Sequence, residues 1–295
     1  MLDRPGIRLR KAITVHKPLI LAGVVNAYCA LLADKAGIPA LYLSGAGVAN
    51  ACFGLPDLGL TSLDDVAEEV RRITYVTSTP LIVDADTGWG SPLNAARTVK
   101  ILSKAGAAGI HIEDQPFEKR CGHRQGKVVI PPKEMIERIS AAANAKEDDS
   151  FLLIARTDAL AVEGLNDVIS RVKQYIEAGA DAIFLEAVTE IGQYRQVKDH
   201  CPVPLIANLT EFGKTPSWTA QEVSAHGADI ALFPLSIFRA MSFAAQNAYE
   251  LLKNQGSTKE LLPQMQNRAE LYSVLNYEKY EKQMDAWLEK YRSSP

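Results

Sequence analysis

One short segment gathers the side chains best suited to acid–base chemistry: Lys119-Arg120-Cys121-Gly122-His123-Arg124. It places one thiol among three permanent cations and a histidine, and Gly122 allows the backbone to turn. A thiol ordinarily titrates near ~8.5, and neighbouring positive charge lowers that pKa. A run this polar is expected to lie outside the core. The segment therefore predicts an acid–base role for Cys121 and attraction of a substrate with several carboxylates.

A pair of carboxylates predicts a metal site. Asp84 and Asp86 stand two residues apart near the end of an apolar run, so on a strand they would face the same side. Two like charges in one polar mouth repel each other unless a divalent cation lies near them, and ligation by oxygen alone favours Mg2+, or Mn2+, over zinc. Glu113 is expected to support the metal through a water, or else to pair with Arg156. The alternative for Asp86 is a helix cap.

Hydrogen-bond donors follow other apolar runs. Arg156, Asn208 and Thr210 are expected to face the metal, since a guanidinium group binds carboxylates through two parallel hydrogen bonds. Arg239 follows the last run and is a further candidate for binding a carboxylate. Arg268, on sequence alone, reads as a solvated helix residue.

Eight apolar runs alternate with amphipathic stretches, which predicts a parallel sheet of strands buried on both faces. The runs are Leu19 to Ala27, Ala40 to Ser44, Leu81 to Asp86, Gly109 to Glu113, Phe151 to Thr157, Ala182 to Glu186, Leu205 to Thr210 and Ile230 to Leu235. Helices are predicted at Leu63 to Val76, Ala95 to Ala105, Asp167 to Ala178 and Ser217 to His226, and Ala-Gly pairs at 36–37, 105–106 and 178–179 as helix ends. Eight such units predict an α/β fold, a (β/α)8 TIM-type barrel with its functional groups at the C-terminal strand ends. An open doubly wound sheet would usually carry a GxGxxG turn after its first strand, which is absent here.

We expect residues 1–295 to form a single barrel domain with two additions. The polar segment at about 115–131 is long for a barrel loop and predicts a mobile catalytic lid. The tail at about 257–295 exceeds what eight repeats require and reads as helical, packed either on its own barrel or on a neighbouring subunit.

Composition excludes several classes of protein. With 47% hydrophobic residues, 23% charged residues and a net charge of -3, the chain has an ordinary globular core and no basic surface for nucleic acid. Met1-Leu2-Asp3-Arg4-Pro5 lacks the apolar core of a secretory signal, and no apolar stretch reaches ~18 residues, so we expect neither a signal peptide nor a membrane span. Its four cysteines include no CxxC pair, which argues against a disulfide framework or structural zinc and favours the cytoplasm. Cys29, Cys52 and Cys201 read as small hydrophobic residues.

Over nearly its whole length the chain resembles the isocitrate lyase and phosphoenolpyruvate mutase superfamily. The motifs are Tyr42-Leu43-Ser44-Gly45, Val83-Asp84-Ala85-Asp86-Thr87-Gly88, His111-Ile112-Glu113-Asp114-Gln115, Lys119-Arg120-Cys121-Gly122-His123, Ala155-Arg156-Thr157-Asp158-Ala159 and Asn208-Leu209-Thr210-Glu211-Phe212. The thiol motif is specific for the cysteine-bearing lyases of the superfamily. Isocitrate lyases typically read Lys-Lys-Cys-Gly-His and carry insertions for which 295 residues leave no room.

The resemblance implies a carbon–carbon lyase that cleaves 2-methylisocitrate to pyruvate and succinate, as in the methylcitrate cycle of propionate catabolism. Isocitrate or another 2-hydroxy-diacid is the alternative substrate. It implies Mg2+ at Asp84 and Asp86, a tricarboxylate substrate, and a homotetramer that exchanges C-terminal helices. Cys121 and His123 match the catalytic loop, with Cys121 as general acid; Tyr42 is our candidate for the base, and Glu113 supports the metal. The residues matching substrate contacts are Ser44, Gly45, Ala46, Gly122, Arg156, Glu186, Asn208, Thr210, Arg239 and Arg268.

Three positions depart from the family pattern: Ala46 where glycine is common, Leu185 where proline is common and Trp89 where phenylalanine is common. None changes a charge, but the last two would reshape the pocket around a substrate methyl group. Two rival functions from other classes are a non-catalytic, metal-dependent carboxylate-binding protein and a redox sensor using Cys121. Neither explains why the acids, the arginines and the thiol occur together.

Overall fold

The computed structural model describes residues 4–292, in which eight parallel strands close into a barrel, with β8 pairing back to β1. The strands are β1 (Leu19–Gly23), β2 (Ala40–Leu43), β3 (Leu81–Asp84), β4 (Gly109–Glu113), β5 (Leu152–Thr157), β6 (Ala182–Leu185), β7 (Leu205–Asn208) and β8 (Ile230–Phe233). Each lies within a predicted run, so the predicted (β/α)8 barrel is confirmed. Strands β2, β3, β6 and β7 end before the polar residues that close their runs, whereas Glu113 and Thr157 are the last residues of β4 and β5.

Helices follow the strands around the barrel and continue beyond it. They are α1 (Pro5–Val15), α2 (Ala27–Lys35), α3 (Gly45–Phe53), α4 (Leu63–Val76), α5 (Pro92–Lys104), α6 (Pro132–Asn144), α7 (Leu165–Glu177), α8 (Gly192–Lys198), α9 (Ala220–Ala225), α10 (Ser236–Gln255), α11 (Arg268–Leu275) and α12 (Tyr277–Arg292), with short 3-10 helices at Ala159–Ala161 and Lys259–Gln264. The predicted Ala-Gly helix ends are confirmed at α2, α5 and α7: each alanine is the C-cap, and the glycine after it has a positive φ.

Alternate strand residues point into two separate cores, which is why the strands read as continuous apolar runs. One core fills the barrel and includes Leu21 and Ile154. The other lies between strands and helices and includes Leu41 and Leu153. Leu9 of α1 belongs to the barrel core, and α1 contacts the chain just before β5, through Arg10 to the Ser150 carbonyl. Helix α1 therefore covers the N-terminal end of the barrel, so the open mouth is at the C-terminal strand ends.

The backbone divides into two compact units, Met1–Arg239 and Ala240–Pro295. The first contains the whole barrel. The second contains most of α10 together with α11 and α12, so it begins upstream of the tail predicted from residue 257. The tail is helical as expected, while the single-domain organisation stays a prediction. No helix in the described part of the chain has the length and apolar content to cross a membrane.

Gly23 lies where β1 and β8 approach too closely for a side chain. A Cβ atom there would lie 1.8 Å from the Pro234 carbonyl oxygen, whereas at Gly192, the first residue of α8, a Cβ would meet nothing within 4 Å. We therefore expect Gly23→Ala to lower the free energy of unfolding by about 3 kcal/mol through overpacking. Gly192→Ala, the matched control, should be neutral or stabilising. Urea unfolding followed by circular dichroism measures both, and equal stabilities would contradict the close approach.

Candidate active site

A cavity of about 320 Å³ opens at the C-terminal end of the barrel. It is large enough for a small polycarboxylate. Twelve of the predicted site residues line it: Tyr42, Ser44, Ala46, Asp84, Cys121, Gly122, His123, Arg156, Glu186, Asn208, Thr210 and Arg239. The structure thus brings together residues from six different strand ends and the 115–131 loop. Arg268 is an exposed residue at the start of α11 in the second unit, and its substrate contact stays a prediction.

Three acids behind the cavity form a cluster that can hold a metal ion. Oxygen atoms of Asp84, Asp86 and Glu113 all lie within 4.8 Å of one another, and all three side chains are buried. The expectation that strand alternation aligns the two aspartates is wrong, because β3 ends at Asp84 and Asp86 adopts a left-handed φ of 47°. That turn is fixed by the Asp86 N–H, which donates to Asp84 Oδ1 at 3.0 Å. The helix-cap alternative is also wrong, since Ser91 caps the next helix, α5.

The backbone of the β2–α3 junction supports the same carboxylates. The Gly45 N–H donates to Asp84 Oδ2 at 3.0 Å. A Cβ on Gly45 would lie 3.1 Å from Asp86 Oδ1 and 3.3 Å from Asp84 Oδ2, so a larger residue would crowd the acids. Gly45 therefore contacts the acidic cluster and does not line the cavity.

The charge balance of this cluster fits a divalent cation. At this end of the barrel six carboxylates are buried together with four permanent cations: Asp84, Asp86, Glu113, Asp114, Asp158 and Glu186 with Lys119, Lys127, Arg156 and Arg171. Neither oxygen of Glu113 has a hydrogen-bond partner, although Arg156 Nη1 lies 3.3 Å from one of them. Burial raises the pKa of Glu113 well above its ordinary value, despite Arg156. A cation that binds oxygen ligands, such as Mg2+, would stabilise the charged form of a carboxylate that is buried without hydrogen-bond donors.

The two aspartates have opposite pKa shifts. Burial favours the neutral form of Asp84, but His111, Lys119 and Arg156 outweigh burial and lower the pKa to about 2. Burial also lowers the pKa of His111 to about 4, so near neutral pH only the two permanent cations have this effect. Burial and the charge of Asp84 raise the pKa of Asp86 to about 6, although Lys119 opposes the shift. The repulsion between the aspartates is therefore only partly relieved by protein cations.

Lys119 is buried against this cluster. Its Nζ lies 2.7 Å from Asp57 Oδ1 and also pairs with Asp86. The expectation that the thiol motif lies outside the core is wrong for Lys119 and Gly122, which are buried, whereas Arg120 and Arg124 are exposed. The buried carboxylates draw Lys119 inward, because a charged group leaves water only for a partner.

Cys121 differs from the sequence prediction in its acidity. Burial raises the pKa of the thiol, and Asp57 and Glu186 act in the same direction, while a backbone hydrogen bond with His123 and the charge of Arg156 oppose it only in part. The prediction that the flanking cations lower this pKa is wrong: Lys119 is paired with carboxylates and Arg120 is exposed to solvent. The thiol is therefore protonated near neutral pH, the form that a general acid requires.

A buried Tyr42–His111 pair adjoins Asp84. The Tyr42 hydroxyl lies 2.8 Å from His111 Nε2, and the same nitrogen lies 3.5 Å from Asp84 Oδ1. Burial, reinforced by Asp84, raises the pKa of Tyr42 well above its ordinary value, so its side chain is a neutral phenol. The sequence did not predict the contact between His111 and Tyr42. The available signal was that each residue lies just before the polar end of its apolar run.

Arg156 is surrounded by carboxylates. Its guanidinium group contacts Asp158 at 3.0 Å, Glu113 at 3.3 Å and Glu186 at 3.7 Å. The Glu113–Arg156 ion pair that the sequence left as an alternative is therefore present. Burial raises the pKa of Glu186, but Arg156 and His123 outweigh burial and hold that pKa below its ordinary range. Glu186 is thus ionised and its negative charge faces the cavity.

His123 joins the loop to two other elements. The Lys214 backbone N–H donates to His123 Nδ1 at 3.0 Å, so the ring proton lies on Nε2, which is 3.0 Å from Glu186 Oε1. On the far side of the cavity, Arg239 stacks over the Phe212 ring, 5.5 Å from its centroid, and contacts Glu211. Asn208 donates to Glu186 Oε2 at 3.1 Å. His123, Glu186 and Asn208 therefore form one hydrogen-bonded group that lines the cavity.

Comparison with known proteins agrees with this geometry. The sequence profile of the phosphoenolpyruvate phosphomutase family matches residues 9–253. A 2-methylisocitrate lyase of Escherichia coli (strain K12) is 52% identical over 96% of each chain, and one of Vibrio cholerae serotype O1 is 49% identical over 95% of this chain and 93% of its own. Among solved structures, 2,3-dimethylmalate lyase, a member of the PEP mutase/isocitrate lyase superfamily, superposes with a TM-score of 0.89 at 35% identity, covering 98% of this chain and 96% of that one.

Glu113→Gln tests the acidic cluster as a metal site. The variant keeps the shape of the side chain and removes a buried charge whose oxygens accept no hydrogen bond. We expect Mn2+ affinity, measured by isothermal titration calorimetry, to fall about tenfold or more, as for other groups that support metal ligands. The metal-free unfolding temperature should not fall. Glu137→Gln, on the exposed face of α6, is the control, and Mn2+ affinity equal to that of the unmodified protein would exclude Glu113 from the site.

Proposed function

This chain belongs to the phosphoenolpyruvate mutase/isocitrate lyase superfamily as one of its 2-methylisocitrate lyase-type carbon–carbon lyases, and on that premise we propose that it cleaves 2-methylisocitrate to pyruvate and succinate. The observation that carries the proposal is the pairing of two features in one cavity. A thiol kept protonated by burial and Asp84 of the buried acidic cluster both line this cavity. The two features suit a reaction that begins at a hydroxyl group and ends with protonation of a carbon.

The substrate determines the class of reaction. The hydroxyl of 2-methylisocitrate is tertiary, so its carbon has no hydride to lose, and the available step is a retro-aldol (Claisen-type) cleavage of the adjacent carbon–carbon bond. We propose Mg2+, with Mn2+ as a substitute, held by Asp84 and Asp86 and supported by Glu113, because all three offer only oxygen ligands. When bound, the ion acts as a Lewis acid that favours loss of the hydroxyl proton and stabilises the nascent ketone.

Tyr42 receives the hydroxyl proton in this proposal. Because the raised pKa keeps Tyr42 a neutral phenol, it accepts that proton only as it passes its own to His111 Nε2, 2.8 Å away. As the carbon–carbon bond breaks, its electron pair moves to the succinate fragment. The product of the other fragment is pyruvate, whose ketone oxygen derives from the hydroxyl.

The succinate fragment is a carbanion delocalised into its carboxylate. Arg156, Asn208 and Thr210 lie along the cavity and stabilise that charge through hydrogen bonds. Cys121 then gives its proton to the carbon and becomes a thiolate. The loop that carries the thiol lines the same cavity, and its closure over the substrate would limit access of water to the carbanion.

We expect the purified protein to release pyruvate and succinate from 2-methylisocitrate faster than succinate and glyoxylate from isocitrate, in coupled assays with stereochemically defined substrates. Exhaustive chelation with EDTA should abolish activity, because the acids then lack the cation that the chemistry needs. Mg2+ should restore it. Faster turnover of isocitrate, or activity that survives chelation, would contradict this assignment.

Cys121→Ser tests the general acid. Serine keeps the size of the side chain but is a far weaker acid, so we expect turnover to fall about 100-fold while KM stays close to that of the unmodified enzyme. Cys52→Ser, at a cysteine that does not line the cavity, is the matched control and should leave both constants unchanged. Near-normal turnover in Cys121→Ser would remove Cys121 from the mechanism.

We further propose that the protein works in the cytoplasm, in the methylcitrate cycle of propionate catabolism, as a homotetramer that exchanges C-terminal helices. Support for the assembly comes from the second unit, where large apolar side chains are exposed on α10 and α12, among them Phe243, Tyr249, Tyr280 and Trp287. Burial of such residues between subunits would stabilise an oligomer. Sedimentation velocity should give a particle of four chains, and a monomer would contradict the exchange.

A further inference from the structure

We propose that Lys127 is a positioning residue that couples closure of the 115–131 loop to the orientation of Arg156 through Asp158. The inference rests on the proposed function for its catalytic consequence. Lys127 belongs to the second limb of the loop, beyond the thiol motif, and does not line the cavity. It is nevertheless buried, as is Asp158.

Asp158 contacts both a loop cation and the substrate-binding arginine. Its Oδ1 atom lies 2.8 Å from Lys127 Nζ and 3.3 Å from Arg156 Nη2, and its Oδ2 atom lies 3.0 Å from Arg156 Nε. We call Lys127, Asp158 and Arg156 the latch. One carboxylate is thus shared between a cation that moves with the loop and a cation fixed on β5.

The anchor of the latch is rigid. The Asp158 N–H donates to Asp114 Oδ1 at 2.8 Å, and the other oxygen of Asp114 accepts from the hydroxyls of Thr157 at 2.7 Å and Tyr175 at 2.9 Å. All four residues are buried. When Lys127 changes position, Asp158 therefore stays in place and the Arg156 side chain moves instead.

Charge gives the latch its effect on binding. Arg156 faces three carboxylates, those of Asp158, Glu113 and Glu186, each of which competes with a substrate carboxylate for the guanidinium group. Lys127 neutralises Asp158 when the loop is closed. With the loop open, Asp158 is left to Arg156 alone, and Arg156 is held more firmly away from the substrate.

The first limb of the loop contacts the same arginine. A Cβ on Gly122 would lie 2.6 Å from Arg156 Nη2 and 2.5 Å from Glu186 Oε1, so the backbone beside the thiol packs directly on both groups. The first limb of the loop therefore packs on Arg156 directly, and the second limb reaches Arg156 through Asp158. The approach of Cys121 and the release of Arg156 from Asp158 are consequences of the same movement.

Lys127→Met tests the latch, with Lys127→Arg as the conservative variant and Lys133→Met, exposed at the start of α6, as the control. We expect Lys127→Met to speed amide hydrogen exchange across residues 115–131 in the absence of ligand. We also expect it to lower kcat about 100-fold, which is the size of effect that misplacement of a substrate-binding group produces. Lys127→Arg should restore both measurements substantially, and Lys133→Met should change neither. Loop exchange or kcat unchanged in Lys127→Met would overturn the proposal.

A double-mutant cycle separates positioning from mere stability. In the Lys127→Met background, Asp158→Asn removes the charge that captures Arg156, so the double variant should lose no more activity than Lys127→Met alone. Losses that multiply would mean that the two residues act independently and would overturn the latch. An inactive unmodified protein would instead contradict the proposed function, and the ligand-free exchange measurement would still test the pairing of Lys127 with Asp158.

Discussion

The structure depends on one electrostatic constraint: more carboxylates than cations are buried at the C-terminal end of the barrel. Among the four permanent cations buried there, Lys119 and Lys127 come from the 115–131 loop, Arg156 lies on β5 and Arg171 on α7. A buried charge without a partner is strongly unfavourable. The 115–131 loop and the carboxylates at the barrel mouth therefore stabilise each other, and the buried carboxylates still outnumber the buried cations.

The same constraint governs the chemistry. Because carboxylates hold Lys119, its positive charge does not act mainly on Cys121, and burial keeps that thiol protonated. Ionised Glu186 contacts Nε2 of His123 and the Lys214 backbone N–H donates to Nδ1, so the two contacts fix the orientation of the ring. In the mechanism that we propose, the loop that carries Lys119 and Lys127 also supplies the acid and shields the cavity. Each of these contacts therefore holds the loop against the barrel and also sets the protonation or orientation of a group in the cavity.

The fold followed from periodicity, since eight apolar runs with helices between them match the two-core packing of a closed barrel. The predicted barrel also implied that the polar residues converge at one site, because the C-terminal ends of its parallel strands lie at the same end of the barrel. Asp84 and Asp86 were placed together correctly but for the wrong geometric reason, since a left-handed turn brings Asp86 back to the cluster. Local spacing does not reveal where a strand stops, because that depends on ladder hydrogen bonds with its neighbours.

The sequence by itself determined the barrel, the identity of the thiol motif and the set of groups available for chemistry. Only the tertiary structure decided which charges pair: Lys119 with Asp57 and Asp86, and Lys127 with Asp158. It also decided that Tyr42 meets His111 and that Cys121 is protonated. The physical reason is that pKa values and ion pairs depend on burial and on distances across the barrel, and residues far apart in sequence set both.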